Sequence, residues 1–125
     1  MAHLLTWIKG ARWRESLSHC VEGLIPLAVL TLVTWSAWFG AAGVVIWYWS
    51  RKKLEVEIAG EQPGQTHVDT WLAGWFPWQW SLYQVLDVVF PTLSSFAIAA
   101  VLNHFHVLPT LADLIVQAKG FITNL

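Results

Sequence analysis

Apolar positions along this chain gather into two long blocks with polar stretches between and around them. The first block is residues 23–50, "GLIPLAVLTLVTWSAWFGAAGVVIWYWS". No Asp, Glu, Lys or Arg lies between Glu22 and Arg51, a run of 28 residues. The second block is interrupted by one charge, since Asp87 is the only Asp, Glu, Lys or Arg between Thr70 and Ala112. Uncharged apolar runs longer than about 18 residues read as transmembrane helices. The pattern therefore predicts a first transmembrane helix over 23–50 and a second over 87–107. The expected fold class is an all-α integral membrane protein: a two-span transmembrane helical hairpin with amphipathic interfacial helices at both ends.

The flanks complete that reading. In residues 1–22, Leu4, Ile8 and Ala11 recur at helical spacing, with Lys9, Arg12, Arg14 and Glu15 on the polar side. Such a basic amphipathic segment suits the headgroup layer. Residues 51–70 form a polar loop. Its start extends the first helix through pairing of Lys52 and Lys53 with Glu55 and Glu57, until Gly60, Pro63 and Gly64 break it. Residues 71–86, rich in Trp and split by Pro77, read as an interfacial re-entry segment or as an aromatic binding platform. In residues 108–125, Thr110 and Asp113 resemble a capping box. Leu111, Leu114, Ile115, Ala118 and Ile122 then recur at helical spacing, which predicts a C-terminal amphipathic helix on the membrane surface, with Pro109 ending the span before it.

Within the blocks, small residues mark where helix backbones can meet. Ser36, Gly40 and Gly43 in the first span, and Ser95 and Ala99 in the second, are the expected helix-packing positions, against the other span or another copy. Indole prefers the bilayer interface. Trp47 and Trp49, just before Arg51, and Trp71, Trp75, Trp78 and Trp80, after the polar loop, are the expected interfacial anchors. Trp35 and Trp38 fall near mid-span, where they fill a gap against another helix or face lipid. Asp87 has two readings. It caps the second span, with Pro91 in the first turn, or the helix begins near Trp80 and Asp87 is a functional acid at depth in the membrane. A helix of 28 residues is about 42 Å long, against a hydrocarbon core of about 30 Å, so tilt or protrusion is expected of the first span.

Composition narrows the class. The chain is 56% hydrophobic and 12% charged, too few charges to cover a water-facing surface at this length. A net charge of −1 argues against nucleic acid as a partner. The bilayer is the expected partner, together with further copies of the chain or a larger membrane complex. One cysteine, Cys20, excludes an internal disulfide. The five histidines offer His104 and His106 as an H-x-H pair, but residues two apart on a helix do not face each other. No catalytic constellation, metal motif or cofactor motif appears, so a non-enzymatic protein without cofactors is expected. Of the basic residues, three precede the first span, three lie in the loop and one in the tail. For a hairpin that leans towards both termini in the cytoplasm by a margin of one.

The segments "RWRESLSHCVEG", "WSRKKLEVEIAGE" and "WFPWQWSLYQVLDVVFPTL" resemble small membrane proteins encoded by tailed bacteriophages. In those proteins a basic lead carrying a His enters a first span. A charged helical segment follows, then a Trp/Pro turn with a Ser and an Asp before the second span. On that pattern His19, Glu57, Trp80, Ser81 and Asp87 are the matching positions. The resemblance implies a multi-pass protein of the bacterial host inner membrane. It also implies holin-like permeabilisation by self-association, or a role in virion assembly, genome delivery, superinfection exclusion or a larger complex. Holins usually end in a dense charged tail, whereas this chain ends in "VQAKGFITNL".

Overall fold

The computed structural model describes residue 7, residues 12–60, 63–64 and 67–125. Among them the fold is all helical. Helix α1 is Arg12–Glu22, α2 Leu24–Thr34, α3 Ala37–Gly60, α4 His67–Leu72, α5 Leu82–His104 and α6 Val107–Thr123, with a 3-10 turn at Pro77–Gln79. Two stretches are long and apolar enough to cross a membrane: Trp13–Thr34, which is α1 and α2 together, and Leu82–His104.

The expected single helix over 23–50 is two helices. Trp35 adopts a left-handed conformation, φ 53° and ψ 29°, and ends α2. The chain reverses there, and α3 runs back along α2. A bulky residue at positive φ is strained; close packing of the two helices offsets that cost. A Cβ on Gly40 would collide with the Thr31 hydroxyl and lie 2.9 Å from the Leu27 carbonyl. One on Gly43 would collide with the Leu30 side chain. Thr34 Oγ1 closes the last turn of α2 by donating to the Leu30 carbonyl at 2.6 Å, and the Gly40 amide opens α3 by donating to the Ser36 carbonyl at 3.1 Å. The excess length of the apolar block is thus used by folding it in two, not by tilting it.

Three antiparallel legs result. The first is Trp13–Thr34. Its interruption at Gly23 has a local cause: Pro26 has no N–H to give the Glu22 carbonyl. The Gly23 amide still donates to the His19 carbonyl at 2.8 Å, and the Leu27 amide to the Gly23 carbonyl at 3.1 Å, which keeps α1 and α2 in line. Residues 12–22 therefore form the outer half of a leg docked on α5, with Ser16 and His19 buried, rather than a separate surface helix. The expectations resting on Leu4, Ile8, Lys9 and Gly10 lie outside the described residues. The second leg is α3, apolar over 37–50 and charged beyond. The third is α5, parallel to the first. Leu27, Ala37, Ala41, Val44, Tyr48, Trp80, Val88 and Ala99 form the core.

Other boundaries move as well. Ser81, not Asp87, caps α5: its side chain accepts from the Gln84 amide at 3.3 Å, and Gln84 Oε1 accepts from the Ser81 amide at 2.8 Å. Asp87 is inside the helix, and Pro91 is inside it too, four residues on. Pro109 does not end a span. It sits in the first turn of α6, where no intrahelical N–H is needed. The Thr110–Asp113 capping box is replaced by a left-handed His106 at the helix start, φ 51°, and Thr110 Oγ1 donates back to the His106 carbonyl at 2.9 Å. Arg12 and the start of α6 lie at opposite ends of the bundle, so the three legs do not make a hairpin with both ends on one side.

Candidate functional site

At the end of the bundle where the first leg begins, all three legs bring charge inward. Lys52 on α3 is only 4% exposed, and its Nζ lies 2.9 Å from Asp87 Oδ2 on α5 and 2.7 Å from Glu55 Oε2. Ser16 Oγ on α1 donates to Asp87 Oδ1 at 2.5 Å. His19 stands between two carboxylates, with Nδ1 3.2 Å from Glu22 Oε2 and Nε2 3.7 Å from Asp87 Oδ2. Arg51 joins Glu22 at 3.3 Å and Glu55 at 3.4 Å. Tyr48 OH donates to the His19 carbonyl at 2.8 Å, and its ring lies 5.4 Å from the imidazole.

Helix periodicity explains the convergence. Ser16 and His19 are three apart on α1, and Tyr48, Lys52 and Glu55 share one face of α3 at spacings of four and three. Pro91 removes the N–H that the Asp87 carbonyl would accept in a regular helix, so α5 is loosened at the level of the acid. A cleft of about 430 Å³ opens over these groups, lined also by Glu15, Ser81, Tyr83 and Gln84. Three carboxylates, Glu22, Glu55 and Asp87, face two fixed cations, Arg51 and Lys52. His19 stands within hydrogen-bond distance of Glu22 and farther from Asp87. The cluster ties the three legs together. It is not arranged as a nucleophile: Ser16 is fully buried and gives its proton to Asp87 rather than to an imidazole, the wrong order for a Ser–His–Asp relay. Among the described residues no group of His, Cys, Asp and Glu is placed to hold a metal ion.

The predicted anchors divide. Trp71, Trp75 and Trp78 are exposed, whereas Trp80 is buried and Trp49 packs edge-on against it, with centroids 5.0 Å apart. The segment joining α3 to α5 is held by indole N–H groups. Trp49 Nε1 donates to the Trp75 carbonyl at 3.0 Å, Trp75 Nε1 to the Trp71 carbonyl at 2.8 Å and Trp80 Nε1 to the Gly74 carbonyl at 2.8 Å. Gly74 has φ 80°, and a Cβ there would lie 2.8 Å from the Lys53 carbonyl. Lys53 pairs with Glu57 and lies 5.1 Å from the Trp75 ring centroid. Trp47 is on the other side of α3, 59% exposed.

The packing residues also find places. Gly40 is buried and Gly43 half-buried between α2 and α3, and Ser95 and Ala99 are buried on α5. Ser36 is in the reversal, beside Trp35. Trp38 meets Phe96 across α3 and α5, with ring centroids 6.2 Å apart. His104 and His106 do not form a pair on one face, because the chain turns between them. Reading the sequence missed Ser16 and Lys52 as partners of Asp87, and Glu22, Arg51 and Tyr48 as the groups around them. The available signal was the solitary acid itself, since a charge in an apolar run requires a counter-charge from another segment.

Fold and site together define a small all-helical protein with two membrane-crossing-length helices tied at one end by a buried ionic cluster. Comparison with protein families, curated proteins and solved structures finds no match.

Proposed function

We propose that this chain is a non-enzymatic, bilayer-embedded protein of a bacterial inner membrane that perturbs the bilayer in the manner of a holin-like permeabiliser, working as several copies. The observation that carries the reading is an inversion of the usual surface: large apolar side chains point outward, while Lys52, Lys53 and Asp87 lie inside. Only 22% and 28% of the apolar windows of the two long helices are buried inside the structure, whereas the core helix of a water-soluble domain would be mostly buried. Leu32, Val33, Phe39, Ile46, Leu93 and Val101 are all more than half exposed. Lipid is the solvent such a surface suits.

Depth supports perturbation rather than simple residence. From Asp87 to Leu102, level with the reversal at Trp35, α5 rises about 22 Å. Polar groups bound this band at both ends: the ionic cluster at one, and Thr34, Ser36, Asn103, His104 and His106 at the other. A band shorter than the hydrocarbon core of about 30 Å thins the bilayer around it. Arg14, Arg51, Lys52 and Lys53 are at the cluster end, and Lys9 and Arg12 precede it in sequence. Six of the seven basic residues thus favour that end in the cytoplasm.

The test is expression of the chain alone in bacteria, with alkaline extraction of membranes and a record of membrane potential and dye entry. The expected result is retention in the membrane pellet, then abrupt depolarisation with dye entry. Intact potential at high membrane expression overturns the permeabiliser reading, and release by alkaline extraction overturns membrane embedding.

A further inference from the structure

We infer that the outer face of the α2–α3 hairpin is a binding site for one two-chain glycerophospholipid with an ammonium headgroup, of the phosphatidylethanolamine class. The inference rests on the membrane reading above. Two apolar clefts flank Trp47, one of about 700 Å³ along α3 from Gly43 to Leu54 and one of about 510 Å³ along α2 from Ile25 to Leu30. Both share Leu30 and Trp47 as walls, and both reach Arg51. From Gly43 to Arg51 the α3 cleft is about 12 Å long by helical rise, close to the roughly 11 Å that is half of the apolar band. Two adjoining troughs with a common head are the shape of two acyl chains on one glycerol. Pro26 lines the second trough, and Gly43 lines the first where Leu30 packs over it.

The head of the site selects the headgroup. Arg51, 46% exposed at its side chain, offers a guanidinium that suits a phosphate. Glu22 is 3.3 Å from it and 52% exposed, which suits an ammonium group and repels a second anion. A zwitterion carrying phosphate and amine matches this pair; a glycerol headgroup brings the same phosphate to Arg51 but no cation for Glu22. A trimethylated amine is too bulky and has no N–H to give Glu22.

The experiment is native mass spectrometry of the full chain from mild detergent, offered equimolar phosphatidylethanolamine, phosphatidylglycerol and phosphatidylcholine with identical chains. The expected result is one retained lipid, with phosphatidylethanolamine favoured by about tenfold, the effect of one charge-assisted contact. Arg51→Gln should lower retention of all three by a similar factor. Glu22→Gln, at an exposed position, should keep retention and abolish the preference. Equal retention of the three lipids, or a preference unmoved by Glu22→Gln, overturns the site. Detergent-dependent protein with no retained lipid overturns it while leaving the membrane reading intact; a chain soluble without detergent overturns both.

Discussion

Removing one member of the Lys52–Asp87 pair should cost far more than removing both. Lys52 is 4% exposed and the Asp87 side chain 13%, so neither charge can turn to water when its partner is lost. Truncating one partner of a buried pair typically costs about 3–5 kcal/mol, whereas replacing the whole pair with apolar residues of similar volume is often neutral or stabilising. The structure makes the two single changes unequal. Without Asp87, Lys52 keeps Glu55 at 2.7 Å, which holds the cost of Asp87→Leu near the lower end, about 3 kcal/mol. Without Lys52, Asp87 keeps the Ser16 hydroxyl but loses its nearest cation, and only His19, at 3.7 Å, stands in. Lys52→Met should therefore cost about 4 kcal/mol.

The assay is a double-mutant cycle in detergent micelles, with unfolding followed by circular dichroism. For a chain of this size about 3 kcal/mol corresponds to a midpoint fall of roughly 12 °C. The double variant Lys52→Met/Asp87→Leu should recover most of it, which against single costs of about 3 and about 4 kcal/mol is a coupling above about 4 kcal/mol. Single changes that each lower the midpoint by less than about 2 °C, and add without coupling, would refute the claim that this pair is buried and joins α3 to α5. A double variant as unstable as the sum of the singles would do the same.

Three further outcomes follow from the packing. Gly40→Ala should destabilise by about 1–3 kcal/mol, because its Cβ meets the fixed Leu27 carbonyl, while Gly43→Ala should cost less than about 1 kcal/mol, because it meets the flexible end of Leu30; equal effects in thermal melts would count against the hairpin. Thr31→Val should raise stability by up to about 1 kcal/mol, since the Thr31 hydroxyl is buried without a hydrogen-bond partner; a fall in the unfolding midpoint would mean that the hydroxyl is satisfied. Gly74→Ala should loosen the Trp segment by about 1–3 kcal/mol, through its positive φ and the Lys53 carbonyl, read as a red shift of Trp emission as Trp80 gains water; an unchanged spectrum would argue against the docked turn.

The helical class and both apolar blocks were legible in the sequence because charge is absent from them, and absence of charge is a composition signal that survives any folding. The reversal at Trp35 was not legible. Tight turns are read from Gly, Pro, Asn and Asp, and this one is made by Thr34, Trp35 and Ser36. Its sequence trace was quantitative: 28 apolar residues exceed one crossing. Helix starts failed for a related reason. Asp87 and Thr110 are good caps by residue type, but Ser81 with Gln84, and Pro109 in a first turn, were equally good and lay nearer the observed boundaries. The ionic cluster was half legible. A lone acid in an apolar run announces that a partner exists; naming Lys52, Ser16 and His19 requires knowing that residues 12–22 and 51–55 lie at one end of the same bundle, which depends on the reversal.

The hairpin also bears on how copies of this chain would meet. In lipid, helix association gains little from apolar burial and depends on close backbone approach at small residues. Here Gly40 and Gly43 face α2, and Ala41, Ser95 and Ala99 are inside the bundle. The small-residue surfaces are consumed within one chain, and the outward faces carry large side chains such as Phe39, Ile46 and Leu93. Substitution at Gly40 thus acts on the fold of a single copy before it acts on any assembly. Contacts between copies must instead use bulky outer faces, or α6, which has no buried residue. α6 carries Leu114, Ile115, Phe121 and Ile122 exposed beside the reversal end of the bundle. Association that survives Gly40→Ala under conditions where the monomer remains folded, but is lost on Leu114→Glu, would place the contact on α6. The reverse pattern would require the hairpin to open on assembly, and the closed bundle would then be the inactive form.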